Sequence, residues 1–124
     1  MTRIFLAAAA LALVGTTAIA APLSTAKSEI GTVVTSSKNG LTLYTFRNDK
    51  KDVSNCYNDC ASAWPPFTAA SSAKADGALG IIDRKDGSRQ WTLNGQPLYY
   101  WAGDAAKGDV TGDGVGGVWD AVRK

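Results

Sequence analysis

The chain contains no histidine, and its one methionine is Met1. Without an imidazole base, Ser-His-Asp and Cys-His nucleophiles cannot be assembled. Zinc sites of the usual His/Cys type, copper sites that depend on His or Met, and c-type haem attachment drop out on the same count. Cysteine is scarce: Cys56 and Cys60 are the whole supply. Neither lies near the end of the leading apolar segment, so the lipid-accepting cysteine of a bacterial lipoprotein is missing there. Glutamate is almost absent too, since every acid except Glu29 is aspartate. Aspartate favours turns and caps while glutamate favours helix interiors, so this bias points to a fold rich in loops and strands. A dominant charge is also lacking: 13 Lys and Arg stand against 11 Asp and Glu, a net charge of +2. The chain therefore carries neither the basic footprint of a nucleic-acid binder nor a polybasic membrane anchor.

What is present begins with an export signal. Arg3 supplies a positive start, residues 4–14 form an apolar run, and Ala18-Ile19-Ala20 places small residues where a signal peptidase reads. The run is too short to span a bilayer, which takes ~20 apolar residues. The expected organisation is a cleaved signal peptide at 1–20, a flexible lead at 21–30 and a single domain at 31–124. No stable membrane anchor is expected after cleavage. The remainder is long enough for one modest core and too short for two.

From residue 30 the pattern becomes β. Residues 32–35 are β-branched, and Asn39-Gly40 closes a turn with the hairpin signal. Residues 41–46 then alternate. Short strands follow at 81–82, 90–93, 97–101 and 118–122, separated by the turns Lys85-Asp86-Gly87-Ser88 and Asn94-Gly95. An internal repeat shows at a spacing of 55 residues, where Asn39-Gly40-Leu41-Thr42-Leu43-Tyr44-Thr45-Phe46 aligns with Asn94-Gly95-Gln96-Pro97-Leu98-Tyr99-Tyr100-Trp101. Asp49 and Asp104 continue the register. Such units cannot bury a face alone, so they should pack on one another. One helix is expected over residues 55–63, with Ser54 as its N-cap and Trp64-Pro65-Pro66 as its stop. The fold class is mainly β: two hairpin-based repeats packed as a small antiparallel sandwich or distorted barrel, with one short helix near the cysteine pair.

Four groups of residues could carry chemistry. Cys56 and Cys60, four apart, place their α-carbons ~6 Å apart on a helical turn, within disulfide reach. In an oxidising compartment a structural clip is expected, with redox or soft-metal roles as alternatives. Asp109, Thr111, Asp113 and Asp120 resemble the oxygen-ligand spacing of a calcium loop; the competing reading is a glycine-rich turn whose aspartates bond their own backbone. Tyr44, Phe46, Tyr99 and Trp101 share strand faces and are expected in the core, with Asp49 and Asp104 satisfying backbone donors at turns. Trp64, Pro65, Pro66 and Tyr100 form the candidate exposed binding surface. No recognisable catalytic constellation emerges and no cofactor is required, calcium being the one candidate.

Together these features resemble a family of bacterial secreted proteins and predicted lipoproteins marked by a Y-x-(F/W/Y)-x-x-D motif, the secreted repeat of unknown function. The resemblance rests on Tyr44-Phe46-Asp49, Tyr99-Trp101-Asp104, the cysteine pair leading into Trp64-Pro65-Pro66, and the glycine-rich tail ending in Trp119. It implies an exported bacterial protein, secreted or periplasmic, without an established activity. The functional expectation is a non-enzymatic envelope module that binds a protein or glycan partner. The alternative is a periplasmic redox or metal-handling protein using the cysteine pair or the aspartate loop. The mature protein should expose no free thiol. Alkylation without reductant should leave its intact mass unchanged, and two labelled thiols under those conditions would disprove the clip.

Overall fold

The computed structural model describes residues 22–124; the expected signal peptide at 1–20 lies outside them. In chain order the strands are β1 (Leu23–Ser28), β2 (Gly31–Ser36), β3 (Tyr44–Phe46), β4 (Leu79–Asp83), β5 (Arg89–Leu93), β6 (Gln96–Pro97) and β7 (Trp119–Ala121). A short helix α1 (Asp59–Ala63) follows β3, and a 3-10 turn (Val115–Gly117) precedes β7. All sheet pairing is antiparallel: β1 with β2, β3 with β7, and β4-β5-β6 in that order. The sheets do not close into a barrel. At the β5–β6 turn, Asn94 and Gly95 have φ of 53° and 82°; Asn and Gly tolerate this left-handed backbone at little cost.

Two expectations from sequence are corrected. Residues 23–28, read as a flexible lead, form β1. Their apolar positions are too sparse to show a period, but β2 pairs with them along the full register from Leu23↔Ser36 to Ser28↔Gly31, with β-branched residues at its four central positions, and Ala26 is buried. The helix is also shorter than residues 55–63. It begins at Asp59, after Asn58 with φ 57°. The Ser54 hydroxyl accepts Cys56 N–H at 3.4 Å, but it is also bonded to Tyr99 and Arg84 and no helical turn follows it.

The two repeats are interlocked. Val34 N–H donates to the Val122 carbonyl, Val122 N–H to Leu43 and Leu43 N–H to Val34, at 2.8, 2.9 and 3.0 Å. The same three-way closure recurs among Trp91, Phe67 and Leu98, at 2.9 to 3.0 Å. In each closure two residues belong to one repeat and the third to the other. The last extended segment of each repeat thus lies against its partner. β7 lies along β3, with Tyr44↔Ala121 and Phe46↔Trp119 in register. Residues 63–66 lie along 99–102 in the same way, through Tyr100 N–H to the Pro65 carbonyl and Ala102 N–H to the Ala63 carbonyl. Tyr44 and Tyr99 face each other where the repeats meet and exchange both backbone hydrogen bonds, at 2.8 and 3.0 Å.

The main core is a column of rings built across this junction. Phe46 stacks on Trp119 (centroids 4.2 Å apart), Trp119 on Trp64 (3.8 Å, 3° between planes) and Trp64 on Trp101 (4.2 Å). Tyr44 meets Trp64 edge-on, and Tyr99 meets Trp119 the same way. Such offset and edge contacts add to the burial of large apolar area. Trp64 and Trp119 are themselves 55 residues apart, so the column obeys the repeat. Trp64, expected on an exposed patch, is buried at its centre with 4 % exposure. Of the four rings expected in the core, Tyr44 and Tyr99 are fully buried, while Phe46 and Trp101 cap the two ends of the column and stay half-exposed. A second cluster gathers Val34, Leu43, Phe67, Trp91 and Leu98 at the strand closures.

Truncating a central ring leaves a cavity that its stacked neighbours cannot fill. Trp119→Ala should cost ~3–5 kcal/mol, as for other buried aromatics, and Trp101→Ala at the column end distinctly less. Urea denaturation of both variants checks the order; equal midpoints would mean the column does not carry the core.

Candidate functional site

The motif residues converge at the repeat junction. The Tyr44 hydroxyl donates to Asp104 Oδ2 at 2.6 Å, and the Tyr99 hydroxyl donates to Asp49 Oδ2 at 2.7 Å. Each tyrosine therefore bonds the aspartate of the other repeat, not of its own. Both aspartates also accept backbone N–H groups, as expected of them. Asp49 takes that of Asn55 at 2.7 Å, and Asp104 takes that of Thr111 at 3.0 Å together with the Thr111 hydroxyl. Burial raises both phenols well above the ordinary tyrosine value, and the carboxylates they face add to the rise. At Tyr99 the Ser54 hydroxyl offsets part of it. Both tyrosines are consequently protonated donors across physiological pH.

One half of the junction contains a group that no sequence signal marked. Arg84 is buried, with its guanidinium bonded to the Ser54 hydroxyl, the Gln90 side-chain carbonyl and the Cys56 carbonyl at 2.9, 2.9 and 2.7 Å. It also lies 4.2 Å above the Tyr57 ring centroid. Arg84 donates to Ser54 and Tyr99 donates to Asp49, so the Ser54 hydroxyl hydrogen goes to the Tyr99 oxygen. The result is an ordered chain from Arg84 through two hydroxyls to Asp49. Among the described residues Arg84 Nε has no hydrogen-bond partner, and it sits 4.0 Å from the Asp86 carboxylate.

Cys56 and Cys60 are joined in a disulfide with α-carbons 5.2 Å apart. Cys56 is fully buried in the main core, and its carbonyl is held by Arg84. With the sulfurs bonded to each other, the pair offers no thiolates to a metal. The clip fixes the chain between the Asp49 turn and Trp64.

The candidate calcium ligands are dispersed. Asp109 accepts the N–H groups of Ala105 and Ala106, which hold its carboxyl below the ordinary range. Thr111 serves Asp104. Asp113 pairs with Arg123 at 2.9 Å and accepts Ala121 N–H. Asp120 forms a two-pronged pair with Arg47, each bond 2.8 Å. Arg123 and Arg47 hold these two carboxyls low. Among the described residues no group of three or more His, Cys, Asp or Glu is placed to hold a metal ion. The four residues whose spacing resembles a calcium loop serve four separate turn, hydroxyl and ion-pair tasks.

The candidate surface of Trp64, Pro65, Pro66 and Tyr100 does not form a patch. Trp64 is internal, Pro65 and Pro66 are half-buried along the 99–102 strand, and Tyr100 packs edge-on against Phe67 at 5.6 Å. Sequence reasoning took the stop signal of a helix for an exposed feature. The overlooked signal was the 55-residue spacing of Trp64 and Trp119.

This geometry defines a tandem-repeat module whose two copies share strands and motif bonds across a pseudo-two-fold junction. Residues 24–68 and 80–123 each match the family model described as a secreted repeat of unknown function, and the chain belongs to that family. No curated protein and no solved structure matches it. Among the described residues no helix is long and apolar enough to cross a membrane.

Asp49 gives a pH signature. Burial raises its carboxyl above the ordinary value, against the opposing pull of Asn55, Tyr99 and Arg84. A raised folded-state pKa means the folded chain holds the proton more tightly than the unfolded chain. The associated stability is present at low pH and is lost as pH rises through the raised value. Asp113 and Asp120 act oppositely and lose their contribution as pH falls. Asp49→Asn should remove the Asp49 loss, so the stability of the variant relative to wild type should improve as pH rises from the ordinary carboxylate range toward neutral. Urea midpoints across that range test it, and a constant difference would show that Asp49 does not titrate differently on folding.

Proposed function

We propose that the chain is an exported, non-enzymatic module of the cell envelope, with residues 1–20 as its cleaved signal, that acts by binding a protein or glycan partner at the periplasmic or external face. The observation that supports this reading is the internal use of the motif. Tyr44, Tyr99, Trp64 and Trp119 are buried, Asp49 and Asp104 are committed to cross-repeat bonds, and Cys56 is sealed in a disulfide. The residues that look most like chemistry in the sequence build a rigid scaffold, and scaffolds of this kind commonly carry function on their loops and exposed strands.

The test is co-sedimentation of the mature protein with isolated envelope fragments, before and after protease treatment and before and after glycan digestion. Retention that one of the two treatments removes is expected, and the sensitive treatment names the partner class. Retention by neither protein-bearing nor glycan-bearing fragments would overturn the proposal.

A further inference from the structure

The pseudo-symmetry supplies an internal comparison, because each surface of one half has a counterpart on the other. An open cleft of about 750 Å³ lies over the β1–β2 hairpin, lined by Lys27, Lys107 and Lys124 with Thr25 and Thr32. All three lysines are exposed. None of their ammonium groups has an ion-pair or hydrogen-bond partner among the described residues.

The cleft is held in shape by its surroundings. Lys107 sits in a loop closed by the Asp109 carboxylate on the Ala105 and Ala106 N–H groups. That loop is tied to the connection between β2 and β3 by the Thr42 hydroxyl, which donates to the Asp109 carbonyl at 2.7 Å. The Lys107 stem lies over Gly40, where a Cβ would meet it at 3.7 Å. Asp109, which in sequence looked like a calcium ligand, positions a cation.

Backbone pairing identifies the counterparts. Lys124 N–H donates to the Thr32 carbonyl as Ala69 N–H donates to that of Arg89. Lys124 therefore corresponds to Ala69, and Thr32 to Arg89. Lys27 is opposite Thr32 in its hairpin, as Asp83 is opposite Arg89. Lys107 over Gly40 corresponds to Lys51 over Gly95. The second half thus has Asp83 and Ala69 in place of two lysines, and its Arg89 is tied to the carbonyls of Ala70, Ser71 and Ala73. The hollow around Lys51 measures about 420 Å³ and includes Asp52. One backbone design thus carries a concentrated positive cleft in one copy and mixed charge in the other.

We infer that the Lys27–Lys107–Lys124 cleft seats an acidic envelope glycan, a sugar polymer bearing carboxylate or phosphate groups. This rests on the reading of the chain as an exported binding module and names its ligand class. Three ammonium groups supply point charges for the anions, and the two threonine hydroxyls can bond sugar oxygens. The cleft lining lacks the aromatic and arginine anchors that dominate protein–protein hot spots, which favours a glycan over an acidic protein.

The experiment measures binding of the mature protein to polygalacturonate and to a phosphomannan, with neutral dextran and poly-L-glutamate alongside, at an ionic strength of about 0.15 M. Lys27→Ala/Lys107→Ala/Lys124→Ala is compared with the charge-matched Lys50→Ala/Lys51→Ala/Lys74→Ala, both with unchanged denaturation midpoints. The expected result is binding to at least one acidic polysaccharide, weakened about tenfold or more by the cleft triple and little by the matched triple. Which polymer binds distinguishes carboxylate from phosphate. Equal loss in both triples would overturn the inference, as would tighter binding to poly-L-glutamate. Retention on envelope fragments with no affinity for either acidic polysaccharide would overturn the cleft while leaving the module reading intact; retention on neither would overturn both.

Discussion

The reciprocal bond between each motif tyrosine and the other repeat's aspartate is the constraint on which the rest of the structure hangs. A buried carboxylate is costly unless donors surround it. Here the donors arrive from both repeats: a phenol from across the junction and a backbone N–H from the same chain segment. Hydrogen bonds to a charged acceptor contribute about 1.5–3 kcal/mol each, and their directionality matters as much as their strength. Because Tyr44 reaches Asp104 and Tyr99 reaches Asp49, neither repeat can satisfy its own motif. The two copies must dock in one relative orientation, and that orientation aligns Trp64 and Trp119 face to face at the centre of the ring column.

The halves are alike in backbone and unlike in detail. Tyr99 is reached by a serine that Arg84 holds, whereas Tyr44 receives the N–H of Gly112 at 3.2 Å. The first half has a disulfide where the second has a glycine-rich turn braced by Asp113 and Arg123. Both devices do the same mechanical work, fixing the connection between a motif aspartate and its following tryptophan. The exposed surfaces have diverged further than the interior, as the lysine cleft and its mixed-charge counterpart show.

Much of this was legible in the sequence, and the limits are instructive. The 55-residue register placed Tyr44, Tyr99, Asp49 and Asp104 correctly because strand period and turn chemistry are local signals. The Cys56–Cys60 bridge followed from the i, i+4 spacing together with the export signal. What local signals could not show was the exchange of strands: β7 and residues 63–66 carry no mark of which sheet they will join, so Trp64 looked like a loop residue. β1 was invisible because its order comes from its partner. Arg84 left no trace because a lone arginine beside an Asp-Gly turn ordinarily faces water. The partners of Asp113 and Asp120 were not legible, because Arg123 and Arg47 lie outside the ligand-like run and meet these carboxylates only in the folded chain.

The exchange of terminal strands also bears on the order of events when the chain is made. The closure at Val34 and Leu43 needs Val122, so the first repeat has no complete closure until the end of the second repeat is available. A chain delivered N-terminus first through a narrow conduit would hold its first half open throughout the passage. Non-local closures of this kind delay folding, and here the delay coincides with the interval in which a secreted polypeptide must remain threadable.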